Sequence, residues 1–270
     1  MSELNEINEI IAHPEVLSDF ISPTKTSQIL DFQITYTQGT YVGKKRNVNE
    51  DYFSVDSFDN YATFLLSDGM GGPSCGHIAS QITISAFKKK LENEENIPSN
   101  KIILEAVEYS NLSVFQAAKD NPELSGMGST FVGMVIANKT ATIFNVGNSR
   151  VYLIRDNQIQ QLTKDHTLAQ ELIDSGSLNN HPFLNKPGTH MLTRSIGTTA
   201  EIEIDSFSQK LKQGDFYLIC SDGVFDYVTD EKLLEIVQNF SIDVAIKEIF
   251  QAVRDSKGAD NASLILFKVE

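Results

Sequence analysis

The chain is predicted to adopt an α+β fold with antiparallel β-sheets. Segments with strand and helix patterns are grouped in the order strands, two helices, many strands, two helices and one strand. Such grouping favours separate helical layers over an alternating parallel sheet. Short turns, such as Asn138-Lys139 and Asp156-Asn157, join successive strands, as antiparallel neighbours allow. A length of 270 residues with 41% hydrophobic residues is enough for one large domain with a substantial core.

Residues 1–30 differ from the rest and are predicted to be an appendage to a domain over residues 31–270. Leu4, Ile7, Ile10 and Ile11 recur at helical spacing, which predicts a short amphipathic helix. The polar run over 22–27 predicts a linker. Packing on the domain is the main role that we expect of this segment.

Strands and helices then follow in order. The alternation of Phe32, Ile34 and Tyr36 with polar residues predicts the first strand. The helix over 78–91 carries apolar residues on two faces, which predicts that it is covered on more than one side. Further predicted strands are 52–55, 61–66, 131–137, 141–146, 151–154, 158–162, 202–207, 216–220 and 263–269. Further predicted helices are one that begins at Pro98-Ser99 and those over 168–173, 231–240 and 244–253.

Acidic residues recur at the ends of the predicted strands. Glu50 and Asp51 precede one strand, and Asp260 precedes the last. Asp68 and Asp222 each follow an apolar strand within a Ser-Asp-Gly tripeptide. One Asp-Gly pair is usually an ordinary turn. Carboxylates that are gathered at one edge of a β core repel each other, however, so they need protons or a bound cation.

The available donors select a particular class of cation. The sequence has neither the His and Cys spacings of a zinc site nor an EF-hand loop. An all-oxygen ligand set favours Mg²⁺ or Mn²⁺, and two such ions are suited to phosphoryl chemistry. Arg46, four residues before Glu50, could bind phosphate with its guanidinium fork. A solvated position in the basic run 44–46 is an equally good interpretation of Arg46.

Charge and composition exclude several other functions. A net charge of −14 argues against nucleic acid or an anionic membrane as a partner, since both require a basic surface. No apolar run has the length of a membrane span, and the acidic N-terminus does not have the pattern of a signal peptide. Reduced thiols are the simplest interpretation of Cys75 and Cys220, with a disulfide as the alternative, and they predict a cytoplasmic location.

Eight short motifs occur together in one order along the chain. They are Arg46-x-x-Asn49-Glu50-Asp51, Ser67-Asp68-Gly69-Met70-Gly71-Gly72, Gly126-Met127-Gly128-Ser129-Thr130, Val146-Gly147-Asn148-Ser149-Arg150, Leu162-Thr163-Lys164-Asp165-His166, Leu192-Thr193-Arg194-Ser195-Ile196-Gly197, Ser221-Asp222-Gly223 and Asp260-Asn261. In this order the chain resembles the metal-dependent protein serine/threonine phosphatases of the PP2C (PPM) type, and most of all their bacterial members. The resemblance spans about residues 36–269.

The resemblance implies a four-layer α-β-β-α sandwich, in which helices flank two antiparallel sheets. It also implies a binuclear Mn²⁺ or Mg²⁺ site, with a third ion left open, and a mobile flap at about 174–192. The implied substrates are phosphoserine and phosphothreonine in proteins. The enzyme would act as a cytoplasmic monomer in signalling, opposing a Ser/Thr kinase.

The resemblance further assigns roles to single residues. The implied metal ligands are Asp68, Gly69, Asp222, Asp260, Glu50 and Asp51. Asp68 would bridge both ions and be central to catalysis, and the Gly69 carbonyl would bind one of them. Asp222 and Asp260 would bind the other ion, with Glu50 and Asp51 acting directly or through water. Arg46 would hold the phosphate while a metal-bridging hydroxide attacks phosphorus in line.

The chain also departs from the family pattern. Met70 stands where many eukaryotic relatives have a His that is proposed to protonate the leaving group. Asn148 replaces the usual Asp of its motif, and Asp120 and Glu123 are the nearest acids for a third ion. His166 and His181 are interpreted as turn or packing residues. An inactive sensing or binding module is the alternative function, which a missing ligand would indicate, but every core ligand is present.

Overall fold

Two antiparallel sheets pack face to face in the computed structural model, which describes residues 3–29, 32–71, 75–92, 96–176 and 191–270. The strands are β1 Phe20–Ile21, β2 Lys25–Ile29, β3 Phe32–Tyr41, β4 Asp51–Ser57, β5 Ala62–Met70, β6 Gly128–Ser129, β7 Phe131–Ala137, β8 Thr140–Val146, β9 Arg150–Arg155, β10 Gln158–Gln161, β11 Asp205–Lys210, β12 Phe216–Cys220 and β13 Ala262–Val269. The helices are α1 Glu3–Ala12, α2 Gly76–Leu91, α3 Asn100–Asp120, α4 Leu168–Asp174, α5 Asp222–Phe225, α6 Asp230–Asn239 and α7 Ile242–Asp255, with a 3₁₀ turn at Pro122–Leu124.

The first three strands and the last strand of the chain belong to the same sheet. The seven-stranded sheet has the order β1-β3-β13-β12-β9-β10, and β2 also pairs with β3. The six-stranded sheet has the order β11-β8-β7-β5-β4, and β6 pairs with β5. Each of these pairs is antiparallel. The predicted α+β class with antiparallel sheets is therefore confirmed.

Three apolar layers hold the sandwich together, because successive side chains of a strand face opposite sides of its sheet. In β5, Phe64 and Leu66 lie between the sheets, whereas Leu65 faces the helices. In β12, Tyr217 lies between the sheets. Its neighbour Leu218 faces α6 and α7. Helices therefore cover the outer face of each sheet, and the four-layer α-β-β-α arrangement is confirmed.

The helix α2 is buried on several sides, as its two apolar faces predict. It packs against β5, α3 and α1, and the side chains of Ile78, Ile82 and Phe87 are all buried. The short helix α1 lies on its outer side, where Ile10 is buried and Ile7 and Ile11 pack against the same cluster. No helix in the described part of the chain is both long and apolar enough to cross a membrane.

Two local predictions were wrong. The linker predicted over 22–27 is in part strand β2, which pairs with β3 from Lys25↔Tyr36 to Ile29↔Phe32. A strand at the edge of a sheet is held by main-chain hydrogen bonds. The side chains of β2 are mostly polar, so the sequence shows no apolar alternation that would predict this strand. The strand predicted at 202–207 begins at Asp205, because pairing with β8 sets its register. The division at residue 30 stays a prediction. Most of the predicted flap, with His181, lies outside the described residues.

Candidate active site

The acidic residues predicted at strand ends meet at one end of the sandwich. Asp51 at the start of β4 is the direct pairing partner of Asp68 near the end of β5. Asp222 follows β12 and Asp260 precedes β13, which are neighbours in the other sheet. Together the ends of both sheets form a pocket of about 550 Å³. Among its lining residues are Arg46, Glu50, Asp68, Gly69, Asp222 and Asp260.

Asp51 is the one predicted site residue that lies behind the pocket wall. Its side chain is 2% exposed. Ser221 donates a hydrogen bond to its Oδ2 at 2.8 Å, while its Oδ1 is buried without a hydrogen-bond partner in the described part of the chain. A buried carboxylate oxygen without a partner is unfavourable, so this atom indicates a site that a cation or water completes.

Arg46 lies between carboxylates of the pocket. Its Nη1 donates to Glu50 Oε2 at 3.2 Å, and its Nη2 donates to Asp260 Oδ2 at 2.8 Å. Its Nε lies 2.7 Å from Asp260 Oδ1. The guanidinium therefore partly neutralises two of the predicted metal ligands. The alternative interpretation, in which Arg46 is a solvated member of the basic run, does not describe these contacts.

Hydroxyl groups of serine and threonine hold the strand ends that carry the carboxylates. The Asp68 N–H donates to Thr130 Oγ1 at 2.9 Å, and Ser129 Oγ donates to the Asp68 carbonyl at 2.8 Å. Ser67 donates to the Thr130 carbonyl at 2.7 Å. Ser221 accepts a hydrogen bond from the Ser263 N–H at 2.9 Å while it donates to Asp51. The serine of each Ser-Asp-Gly tripeptide thus anchors a strand end.

Close backbone contacts explain the glycines of the same tripeptides. A Cβ on Gly69 would collide with the carbonyl oxygen of Gly76 at the start of α2. A Cβ on Gly223 would collide with the carbonyl oxygen of Asn261. Glycine is therefore needed where other backbone passes directly over the site.

Burial and mutual repulsion shift the ionisation of the carboxyl groups. Burial raises the pKa of Asp51 to about 7, and the charges of Asp222 and Asp260 act in the same direction. Burial, together with nearby Asp226 and Asp260, raises the pKa of Asp222 to about 6. Burial and Asp51 raise the pKa of Asp68 well above its ordinary value. In each case burial and repulsion stabilise the neutral form relative to an exposed carboxyl group, and a nearby positive charge would reverse this shift.

Burial also raises the pKa of Glu50, although Arg46 opposes this effect. The donor set of the site consists of oxygens, which suits hard divalent cations. In the described residues no three acidic, imidazole or thiol groups already lie close enough together to hold a metal. The charge of Arg46 between Glu50 and Asp260 occupies that region instead. The unpartnered Asp51 Oδ1 and the raised carboxyl pKa values fit a site that divalent ions complete.

A model of the family described as Protein phosphatase 2C matches residues 38–262. The chain belongs to the protein phosphatase 2C family. The serine/threonine phosphatase Stp of Listeria monocytogenes is 29% identical over 230 residues, which are 83% of this chain and 91% of Stp. Protein phosphatase PhpP of Streptococcus pneumoniae is 31% identical over 235 residues, which are 84% of this chain and 94% of PhpP. The predicted likeness to bacterial members is confirmed.

Solved structures of the 2C family share the fold. Stp1 from Staphylococcus aureus superposes with a TM-score of 0.82 at 28% identity, covering 95% of this chain and 98% of Stp1. The catalytic domain of the phosphatase PstP, solved in complex with two manganese ions, gives a TM-score of 0.76 at 30% identity. That comparison covers 87% of this chain and 98% of the PstP domain.

Relative to the 2C pattern, Asn148 has a direct contact in the pocket. Its amide Nδ2 donates to Asp222 Oδ2 at 3.1 Å, which a carboxylate at this position could not do. Met70 also lines the pocket, together with Leu192.

Asp120 and Glu123, the nearest acids for a third ion, are not among the lining residues. Asp120 instead accepts a hydrogen bond from Gln116 on α3 at 2.7 Å.

His166 joins two loops behind the pocket. The Gly147 N–H donates to its Nδ1 at 3.1 Å, so its proton lies on Nε2, 3.2 Å from Asp205 Oδ2. Burial lowers the pKa of His166, so it is neutral at pH 7. This structural position agrees with the packing role predicted from the sequence.

Sequence reasoning did not assign a role to Asn261. Its side chain is 4% exposed. Its Nδ2 donates to the carbonyls of Val42 and Val48 at 2.6 and 3.1 Å, and its Oδ1 accepts from the Glu50 N–H at 3.0 Å. One amide thus holds both ends of the loop that carries Arg46. The sequence did offer a signal for this role. Asn261 directly precedes a buried strand, where a polar side chain requires hydrogen-bond partners.

Proposed function

We propose that this 2C-family phosphatase hydrolyses phosphoserine and phosphothreonine in proteins with the help of divalent metal ions. The observation that carries this proposal is the pocket in which the two sheets bring four carboxylates around one arginine. Relatives that cover most of the chain are named serine/threonine phosphatases. No predicted ligand position holds a residue that is unable to bind a metal, so nothing favours the inactive alternative.

The proposed ligands of two ions are Glu50, Asp51, Asp68, Gly69, Asp222 and Asp260. Gly69 would contribute its carbonyl, and the remaining ligands their carboxylates. Mn²⁺ and Mg²⁺ both suit these oxygens. The manganese complex of the PstP domain supports this choice. When bound, such ions lower the pKa of water and offset negative charge on phosphate oxygens.

Arg46 is proposed to bind the substrate phosphate. Its guanidinium presents N–H groups in a fork that matches two phosphate oxygens. The fork is shared between Glu50 and Asp260 in this structure, so it becomes available once these carboxylates have other cationic partners. Met70 offers no proton at the pocket wall, and no imidazole is among the described lining residues. The leaving alkoxide is therefore expected to take its proton from water or from another acid.

The test is hydrolysis of phosphoserine, phosphothreonine and phosphotyrosine peptides by the purified chain with Mn²⁺, with Mg²⁺ and with a chelator. We expect metal-dependent release of phosphate from the first two. Asp222→Asn and Asp68→Asn should each lower kcat by at least about 10²-fold, as for groups acting directly on the reaction. Asp243→Asn, on the exposed start of α7, is the matched control. Turnover that survives in the chelator and in both site variants would disprove the proposal.

We further propose that the enzyme is a cytoplasmic monomer that opposes a Ser/Thr kinase. Cys75 and Cys220 are free and buried, which suits a reducing compartment. Helices cover both outer faces of the sandwich, so no sheet face requires a second copy. Light scattering during gel filtration should give the mass of one chain, about 30.0 kDa. A mass of two chains would contradict the monomer.

A further inference from the structure

Lys45 lines the pocket directly beside Arg46 and is exposed at its mouth. The other charged residues that line the pocket are acidic, and they include Glu50, Asp68 and Asp222. Among the described lining residues, Lys45 and Arg46 are the basic ones. Arg46 is committed to Glu50 and Asp260, so Lys45 is a second positive charge with a different environment.

The two neighbouring lysines of this loop are held differently. Lys44 donates from Nζ to the Arg254 carbonyl at 2.7 Å, which turns its ammonium away from the pocket. The Lys45 N–H donates to the Ala259 carbonyl at 3.2 Å, which fixes its main chain. Within the described ranges of the chain, the Lys45 ammonium forms neither an ion pair nor a hydrogen bond. Its charge is therefore available to an incoming ligand without breaking an existing contact.

We propose that Lys45 binds an anionic group beside the phosphorylated residue of the substrate. The enzyme would then prefer phosphopeptides that carry Asp, Glu or a second phosphoresidue within about two positions of the phosphate that is removed. This inference rests on the proposed phosphatase function, because the phosphate held at Arg46 sets the register of the peptide.

Distances along a peptide agree with this placement. Successive residues of an extended peptide advance by about 3.3–3.6 Å, so a group two positions away lies about 7 Å from the phosphorylated residue. A lysine carries its charge on a flexible four-carbon stem, which lets it reach either a carboxylate or a phosphate. A contact at an exposed position of this kind changes kcat/KM by about two- to fivefold.

The test compares kcat/KM on peptides that differ only beside the phosphothreonine, where they carry Ala, Asp, Glu or a second phosphoserine. The wild-type chain should prefer the anionic peptides to the Ala peptide by about two- to fivefold. Lys45→Ala should reduce this ratio to near one, and Lys45→Glu should reverse it. Lys44→Ala, whose ammonium points away from the pocket, should keep the wild-type ratio.

The ratio separates recognition from folding, since a variant that is damaged in general loses activity on all four peptides equally. A wild-type chain with no preference, or a preference that Lys45→Ala leaves intact, would overturn the inference while phosphatase activity stands. A wild-type chain that hydrolyses none of the peptides with Mn²⁺ would overturn the proposed function as well. A higher kcat/KM on the Asp and Glu peptides, or on the peptide with a second phosphoserine, identifies which anion Lys45 binds.

Discussion

At the residue scale, one buried amide holds the loop that carries Arg46. Asn261 binds the carbonyls of Val42 and Val48 and the N–H of Glu50, so it joins the two ends of the loop that carries Arg46. Because the side chain is buried, removing it leaves three polar main-chain groups without a partner. The position of Arg46 thus depends on a residue that need not contact substrate.

Asn261→Ala is expected to lower the free energy of unfolding by about 2–4 kcal/mol, the cost of leaving buried polar groups unsatisfied. It should also lower kcat/KM on a phosphopeptide by at least about tenfold, because a small displacement of Arg46 weakens phosphate positioning. Urea denaturation and steady-state kinetics measure the two effects. Asn239→Ala, at an exposed position whose amide donates to the Glu235 carbonyl of its own helix, should change neither. Unchanged stability in Asn261→Ala would contradict this account.

At the element scale, α1 tests whether the N-terminal segment folds with the domain. The side chain of Ile10 is 7% exposed and belongs to the same apolar cluster as the buried side chains of α2 and α3. Glu15, just after the helix, accepts a hydrogen bond from Tyr52 Oη at 2.8 Å. These contacts attach the segment to β4 as well as to α2.

Ile10→Ala is expected to lower the free energy of unfolding by about 2 kcal/mol, the lower end for a buried aliphatic side chain, because α1 lies at the edge of its layer. The measurement is the midpoint of urea unfolding, followed by circular dichroism. Glu9→Ala, exposed on the same helix, is the control. If both variants unfold like the wild type, α1 does not contribute to the cooperative unit.

The strand β5 lies in the core of the sandwich, with side chains buried on both of its faces. Phe64 is 1% exposed, and its ring centroid lies 4.5 Å from that of Phe267 in the opposite sheet. It also meets Tyr36 edge-on at 5.9 Å between ring centroids. The same strand ends at Asp68 and Gly69, so packing between the sheets and the geometry of the site are linked along one element.

Phe64→Ala should therefore cost about 3–5 kcal/mol of stability, because it opens a cavity between two sheets that cannot both move to fill it. Thermal unfolding would show this as a clear decrease of Tm. Phe58→Ala removes a ring that is 44% exposed and should change Tm little. Equal effects of the two substitutions would show that the space between the sheets is not the main core.

At the scale of the whole molecule, the pocket makes stability depend on pH and on divalent ions together. The folded-state pKa values of Asp51 and Asp222 are raised to about 7 and about 6, and those of Asp68 and Glu50 are raised as well. Raised carboxyl pKa values contribute stability that is present below pH 4 and is lost as pH rises through the folded values. The metal-free protein should therefore lose stability between pH 4 and pH 7.

We expect the metal-free wild type to be less stable at pH 8 than at pH 5, by about 2 kcal/mol or more. Mn²⁺ should stabilise the protein more strongly at pH 8, because protons and cations compete for the same oxygens. Thermal unfolding with a chelator and with Mn²⁺ at both pH values measures these terms.

Asp222→Asn is the matched variant for this pH dependence, because it keeps the shape of the side chain and removes one titrating group. It should reduce both the pH slope and the effect of Mn²⁺. His166 acts in the opposite direction, since its lowered pKa removes stability as pH falls through about 6.5. This contribution is common to wild type and variant, so their difference isolates the carboxylate. A difference of zero would contradict the coupling.

Much of the molecule could be predicted from local sequence patterns. Period-two alternation in β3, helical spacing in α2 and the short turns between strands predicted the α+β class with antiparallel sheets. The Ser-Asp-Gly repeat and the order of eight motifs predicted which acids form the site. These features are local because backbone periodicity and turn chemistry act over a few residues.

Only the tertiary structure decided the rest. Several contacts of the site join residues that are far apart in the chain. Asp51 pairs with Asp68, and Asn148 contacts Asp222. Asn261 binds the loop that carries Arg46. The polar strand β2 and the start of β11 depend on their pairing partners in the same way. Sequence determined which groups reach the end of the sandwich, whereas packing of two sheets determined which of them touch, because distances between strands are set by the whole fold.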